Sequence, residues 1–169
     1  MELVSRILDG SIQYSPRGEP PEGSFFRTRV SQDDCIDRLE EVALLSGCSR
    51  RQLRAIARIS KVVEVPRGTV LARTGDPGEE FFLILDGAAS VEVSPRKRAR
   101  LGPGQYFGEM SLLDGEPRSA TVVAETPLRL LVINRRNFST LLREAPDLAQ
   151  SLMATLSRRV RLAEANAAR

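Results

Sequence analysis

The sequence predicts an α+β fold: an antiparallel β-barrel or jelly roll flanked by N-terminal helices and a C-terminal lid helix pair. Three observations carry this reading. Apolar residues recur at three- and four-residue steps before Lys61 and after Ile133, the pattern of helices with one buried face. Between those positions the period falls to two. The short period-two runs stand roughly 8–12 residues apart and are separated by Gly/Pro turns, as in sandwiches and barrels.

Residues 1–32 read as a flexible N-terminal arm, and residues 33–169 as the folded domain. Gly10, Pro16, Gly18, Pro20, Pro21 and Gly23 crowd the arm, a composition with little to bury. Phe25 and Phe26 are its anchors to the body. From Asp33 to Gly47 a helical run is expected, with Ile36, Leu39, Val42 and Leu45 on its face. Ser49 caps a second helix carrying Leu53, Ile56 and Ile59. Strands follow at Val63–Val65, Val70–Leu71, Phe81–Leu85, Ser90–Val93, Leu101, Thr121–Ala124 and Leu128–Ile133. Pro95-Arg96-Lys97-Arg98 reads as a basic loop, and Glu79-Glu80 as turn-flanking charge. Asn134 caps the next helix, and Pro146 sits at the first position of the last one. A stripe of Leu148, Leu152, Leu156, Val160, Ala163 and Ala167 runs along that helix. It suits core packing, a lid, a homodimer seam or a docking face.

Composition narrows the function. At 169 residues the chain is long enough for one real core. Lys+Arg of 25 against Asp+Glu of 22 leaves +3. That surplus gathers on the terminal helices and is too small for an independent nucleic-acid site. Histidine is absent, which excludes Ser-His-Asp and Cys-His catalysis and His-ligated metals. Cys35 and Cys48 form no CxxC and read as reduced core thiols. No apolar stretch suggests a membrane span or signal peptide. The expectation is a cytoplasmic protein that is not an enzyme and has no metal or resident cofactor.

One segment carries chemistry, from Phe107-Gly108-Glu109-Met110-Ser111-Leu112-Leu113 to Pro117-Arg118-Ser119-Ala120-Thr121. A Gly lets backbone approach a ligand, and a short helix begins directly after it. Arg118 returns just before a β-branched strand, where a guanidinium can meet an anion with two parallel bonds. Glu109 only accepts hydrogen bonds, so beside an anion it suits a sugar hydroxyl. A purely structural reading makes Gly108 and Gly115 turns and pairs Arg118 with Glu109 or Glu116.

This cassette closely resembles the phosphate-binding segment of cyclic-nucleotide-binding domains, as in catabolite activator proteins, kinase regulatory subunits and cyclic-nucleotide-gated channels. Their pattern, F-G-E-[LM]-x-L-L, a short gap, then P-R-x-A-T, is filled at every position. Pro66–Leu71, Gly75–Gly87 and Val91 resemble the family's first barrel strands. The resemblance implies that Glu109 accepts from the ribose 2′-hydroxyl and Arg118 neutralises the cyclic phosphate. Phe107, Gly108, Met110 and Ser111 would surround the short helix facing it. Ser119 and Ala120 would follow the phosphate arginine, and Val91 and Leu101 would pack against base and sugar. Ser119 resembles the bacterial activator, which favours cAMP over cGMP. The helix from Pro146 would cap the base, and Glu164 would either touch the base or be a solvated charge. The expected function is a stand-alone cyclic nucleotide receptor whose terminal helices move on binding and signal to a protein effector. The alternatives are an interaction module that keeps the fold without the ligand, and the regulatory domain of a larger enzyme or transporter.

Overall fold

A computed structural model describes residues 32–168. The arm through residue 31, with Phe25 and Phe26, lies outside the described residues, as does Arg169. Helix α1 (Gln32–Glu40) is shorter than the sequence suggests. It stops where Glu40-Glu41 would place two acids against the negative end of the helix dipole. Val42 is extended, and a single 3-10 turn (Ala43–Leu45) follows. This break lets Leu44 and Leu45 reach the same core as Ile36 and Leu39. Helix α2 (Arg50–Ile59) begins with a reciprocal cap: Gln52 N–H donates to Ser49 Oγ at 3.2 Å, and Ser49 N–H donates to Gln52 Oε1 at 2.8 Å.

Eight strands form two four-stranded antiparallel sheets, the jelly roll expected from the sequence. They are β1 (Lys61–Val65), β2 (Val70–Ala72), β3 (Glu80–Asp86), β4 (Ala89–Ser94), β5 (Lys97–Leu101), β6 (Tyr106–Phe107), β7 (Thr121–Ala124) and β8 (Leu128–Asn134). One sheet has the order β1-β8-β3-β6 and the other β2-β7-β4-β5. The basic segment is not a four-residue loop. Lys97 pairs with Ser94 and Arg98 with Glu92, so only Pro95-Arg96 turns. Lys97, Arg98 and Arg100 are exposed along an edge strand, where charge discourages further pairing.

Strand β3 explains why its sequence shows no polar alternation. Phe81, Leu83 and Leu85 face the helices, while Phe82 and Ile84 face the second sheet. Strand β8 divides likewise, with Leu131 and Ile133 on one side and Leu128, Leu130 and Val132 on the other. A strand covered on both faces reads as a continuous apolar run.

Helix α3 (Glu109–Asp114) lies between β6 and β7. Asn134 Oδ1 accepts from Asn137 N–H at 2.8 Å and caps α4 (Arg135–Glu144). Pro146 opens α5 (Pro146–Ala167). Only the first turns of the predicted stripe join the core, through Leu148 and Leu152. Leu156 is half-buried, and Val160, Ala163 and Ala167 are exposed. Among the described residues no helix is long and apolar enough to cross a membrane. Cys35 is buried as expected, whereas Cys48 is only half-buried.

Candidate functional site

The site is built where β6 hands over to α3 and where the chain returns to β7. Gly108 links the first pair with φ of +92°. A Cβ there would stand 2.6 Å from the Glu80 carbonyl oxygen and 2.7 Å from Arg118 Nη1. Only glycine meets both the left-handed backbone and the close approach.

Arg118 occupies the space these residues leave. Its Nη1 donates to the Gly108 carbonyl at 2.9 Å and its Nη2 to the Glu80 carbonyl at 2.8 Å. The guanidinium lies 5.8 Å from the Phe82 ring centroid, within cation–π range. Phe82 in turn stacks on Phe107 at 4.7 Å. The backbone of Arg118 is also held: its N–H donates to Asp76 O, and Gly75 N–H donates to Arg118 O, each at 2.8 Å. Gly78, read from sequence only as part of a turn, closes the slot. A Cβ on it would stand 2.9 Å from Arg118 Cζ and 2.7 Å from Ser111 Oγ. The side chain is 4% exposed, and its Nε has no hydrogen-bond partner. A buried charged donor without an acceptor is costly, and Arg118 is one of the residues that line a cavity.

Two acids near Arg118 are not where sequence reasoning put them. Glu80 is no turn-flanking surface charge. It is buried, its Oε2 lies 3.7 Å from Arg118 Nη2, and that oxygen has no hydrogen-bond partner. Neither Glu109 nor Glu116 forms a direct ion pair with Arg118. Glu109 is also buried, and its Oε1 accepts from Arg159 Nη1 of α5 at 2.8 Å. Burial pushes the Glu80 carboxyl above the ordinary carboxylate range; Arg118 offsets this in part, and Glu79 adds to the rise. Burial likewise lowers the Arg118 guanidinium, against the favourable pull of Glu80, Glu109 and Glu79. It stays charged, because arginine starts so far above neutrality.

The cavity measures about 550 Å³, within the range of small-molecule sites. All ten residues singled out from the sequence border it: Val91, Leu101, Phe107, Gly108, Glu109, Met110, Ser111, Arg118, Ser119 and Ala120. Helix α5 contributes Arg159, Leu162, Ala163 and Asn166. Glu164, which the resemblance placed near the base, is not among the lining residues. Ser119 is exposed, its Oγ 4.0 Å from Met110 Sδ. A second cavity, of about 920 Å³, lies against α4 and shares no lining residue with the first; Glu79, Glu80 and Arg135 border it. Arg135 Nε meets Glu79 Oε2 at 3.1 Å, and its Nη2 donates to the carbonyls of Gly78 and Ser111 at 2.6 and 3.2 Å. This ties α4 to both the glycine slot and α3.

The 550 Å³ cavity therefore offers one fixed guanidinium with a spare donor, one buried carboxylate, the start of a short helix, and apolar walls from β4, β5 and β7. That set suits a compact ligand with a single negative charge, an adjacent hydroxyl and a flat apolar part.

Comparison with known proteins agrees with this chemistry. Residues 62–145 match the model of the cyclic nucleotide-binding domain family. The chain is 41% identical over 161 residues to a cyclic nucleotide-gated potassium channel of Mesorhizobium japonicum, covering 90% of this chain and 45% of the channel. It is 35% identical over 132 residues to a cAMP-dependent protein kinase regulatory subunit of Aspergillus niger, covering 71% of this chain and 31% of that one. Among solved structures, the Thermus thermophilus catabolite activator protein superposes with a TM-score of 0.67 at 32% identity, covering 73% of this chain and 60% of that one. The chain spans less than half the length of these two curated relatives.

Proposed function

Because residues 62–145 belong to the cyclic nucleotide-binding domain family, we propose that this chain is a cyclic nucleotide receptor, with cAMP as its ligand, and not an enzyme. The observation that carries the reading is the unpartnered Nε of buried Arg118 beside the cavity. A cyclic phosphate oxygen supplies the missing acceptor, and the guanidinium is already held in place by two carbonyls. Glu109 accepts from the ribose hydroxyl. The purine lies between Val91 and Leu101 on the barrel and α5 above. Preference for cAMP rests on Ser119 and on the identity shared with the Aspergillus niger subunit, whose name declares cAMP dependence.

In this reading α5 is the moving part. Arg159 is half-exposed yet bonds a carboxylate that is 3% exposed, so the lid is latched through the residue that also receives the sugar. Nucleotide shifts the lid only by binding its positions unequally. A protein effector, or a second copy of the chain, would read that shift on the exposed turns of α5. Residues 32–168 contain both sheets, the cavity and the covering helix, so binding and the helix response would lie within this one domain.

Two results test this. Saturating cAMP should raise the melting temperature, stabilising by about 2.7 kcal/mol at a hundred times Kd, with a smaller rise for cGMP and none for 5′-AMP. Equal shifts with all three would contradict cyclic-nucleotide recognition. Arg159→Ala should weaken cAMP binding by about tenfold, the worth of one charge-assisted contact, chiefly through faster dissociation in stopped flow. An unchanged off-rate would remove Arg159 from the latch.

A further inference from the structure

Glu80 is the buried acid that the binding chemistry leaves unused. It reaches Arg118 twice, through its carbonyl at 2.8 Å and its carboxylate at 3.7 Å. The second distance is too long for a hydrogen bond but short for two buried opposite charges. Its Oε2 has no hydrogen-bond partner. Several charged groups surround the pair. Glu79 lies just before β3 and is engaged by Arg135 of α4, while Glu109 of α3 acts on Arg118. Arg58 of α2, Lys61 of β1 and Arg136 of α4 border the same 920 Å³ cavity as Glu80.

We propose that Glu80 is the positioning counter-charge of Arg118, which a bound phosphate displaces electrostatically, so that nucleotide binding draws a proton from solvent onto the Glu80 carboxylate. This rests on the receptor reading above. In the empty site Glu80 balances a guanidinium that burial would otherwise penalise. A phosphate monoanion then claims the same guanidinium and places a second negative charge near Oε2. Two anions sharing one buried cation favour protonation of the weaker acid partner, and a cyclic phosphate is the far stronger acid. A solvent proton adds to the carboxylate, and the carboxyl gains a donor. Glu80 also borders the 920 Å³ cavity, through which a solvent proton can approach it.

The sign of the pH effect follows. Burial already holds the Glu80 carboxyl above its ordinary value of 4.5, and phosphate raises it further. Between the free and bound values binding takes up a proton, so affinity falls as pH rises through that window. The absence of histidine keeps the background low, because no imidazole titrates there.

The test is calorimetric titration of the full chain with cAMP from about pH 5 to pH 8, in buffer pairs of different ionisation enthalpy. Wild type should take up a measurable fraction of a proton per nucleotide. Glu80→Gln should take up none, lose the pH dependence, and at pH 8 bind about three- to tenfold tighter than wild type. Binding by wild type without proton uptake would overturn the inference and leave the receptor reading standing. Uptake that persists in Glu80→Gln would also overturn it. The wild-type proton count decides the matter even if the variant fails to fold. No binding of cAMP or cGMP by wild type would bring down the receptor reading, and this inference with it.

Discussion

Replacing Arg118 with lysine is expected to weaken cyclic nucleotide binding by about a hundredfold, as breaking a buried, hydrogen-bonded charge pair does. Lysine keeps the positive charge and most of the stem, so Glu80 is not left as an isolated buried anion. It cannot reproduce the planar fork. Two of the guanidinium's donors hold the Gly108 and Glu80 carbonyls, and its Nε is spare. An ammonium that satisfies those carbonyls has little geometry left for a phosphate. Alanine would be a poorer test, because emptying a slot lined by Phe82, Gly78 and Gly108 beside an unpaired carboxylate threatens the fold itself. The measurement is fluorescence polarisation with a labelled cyclic nucleotide, alongside a melting curve. Affinity within threefold of wild type, with the fold intact, would show that the phosphate lies elsewhere.

The second large effect is expected at Gly108. Gly108→Ala places a Cβ against Glu80 O and Arg118 Nη1 in a backbone with φ of +92°. Strain and clash together should cost about 2–3 kcal/mol, and melting should fall by about 5–15 °C for a domain of this size. The control is Gly115→Ala. It has φ of +74° with nothing within 4 Å of the added Cβ, so only backbone strain of about 1 kcal/mol applies. Equal losses at the two positions would mean that the close packing around Arg118 contributes nothing. Affinity should separate them too, since only Gly108→Ala moves the arginine.

Much of this site was legible before any coordinates because its parts are local. Gly108, Glu109 and Arg118 lie within eleven consecutive residues, and a turn, a short helix and a returning strand suffice to bring them together. The sheets were legible for a similar reason. Period-two runs bounded by Gly and Pro specify strands whatever their partners. What escaped depends on distant packing. Glu80 looked like surface charge beside Glu79, yet it starts a strand covered on both faces and inherits that burial. The uninterrupted run Phe81–Leu85 was the available signal. Nothing in the sequence ties Arg159 to Glu109, fifty positions away. Gly78 looked like an ordinary turn residue because its role is the room it leaves for Arg118. The helical run after Asp33 misled because Val42, Leu44 and Leu45 continue the apolar spacing through a break. Similarly, Lys97 and Arg98 suggested a loop although their charge suits an exposed edge strand.

These particulars converge on one cavity where buried Arg118 has a spare donor beside the Glu109–Arg159 pair. Its partner must be anionic, small and able to satisfy Glu109. The most direct measurement is an equilibrium titration of the purified chain with cAMP by calorimetry, at low ionic strength and near neutral pH. Saturable binding of one nucleotide per chain is expected at micromolar concentration or below, an affinity of about −8 kcal/mol or stronger. No heat of binding with cAMP or cGMP at millimolar concentration, from a chain that melts cooperatively, would contradict it.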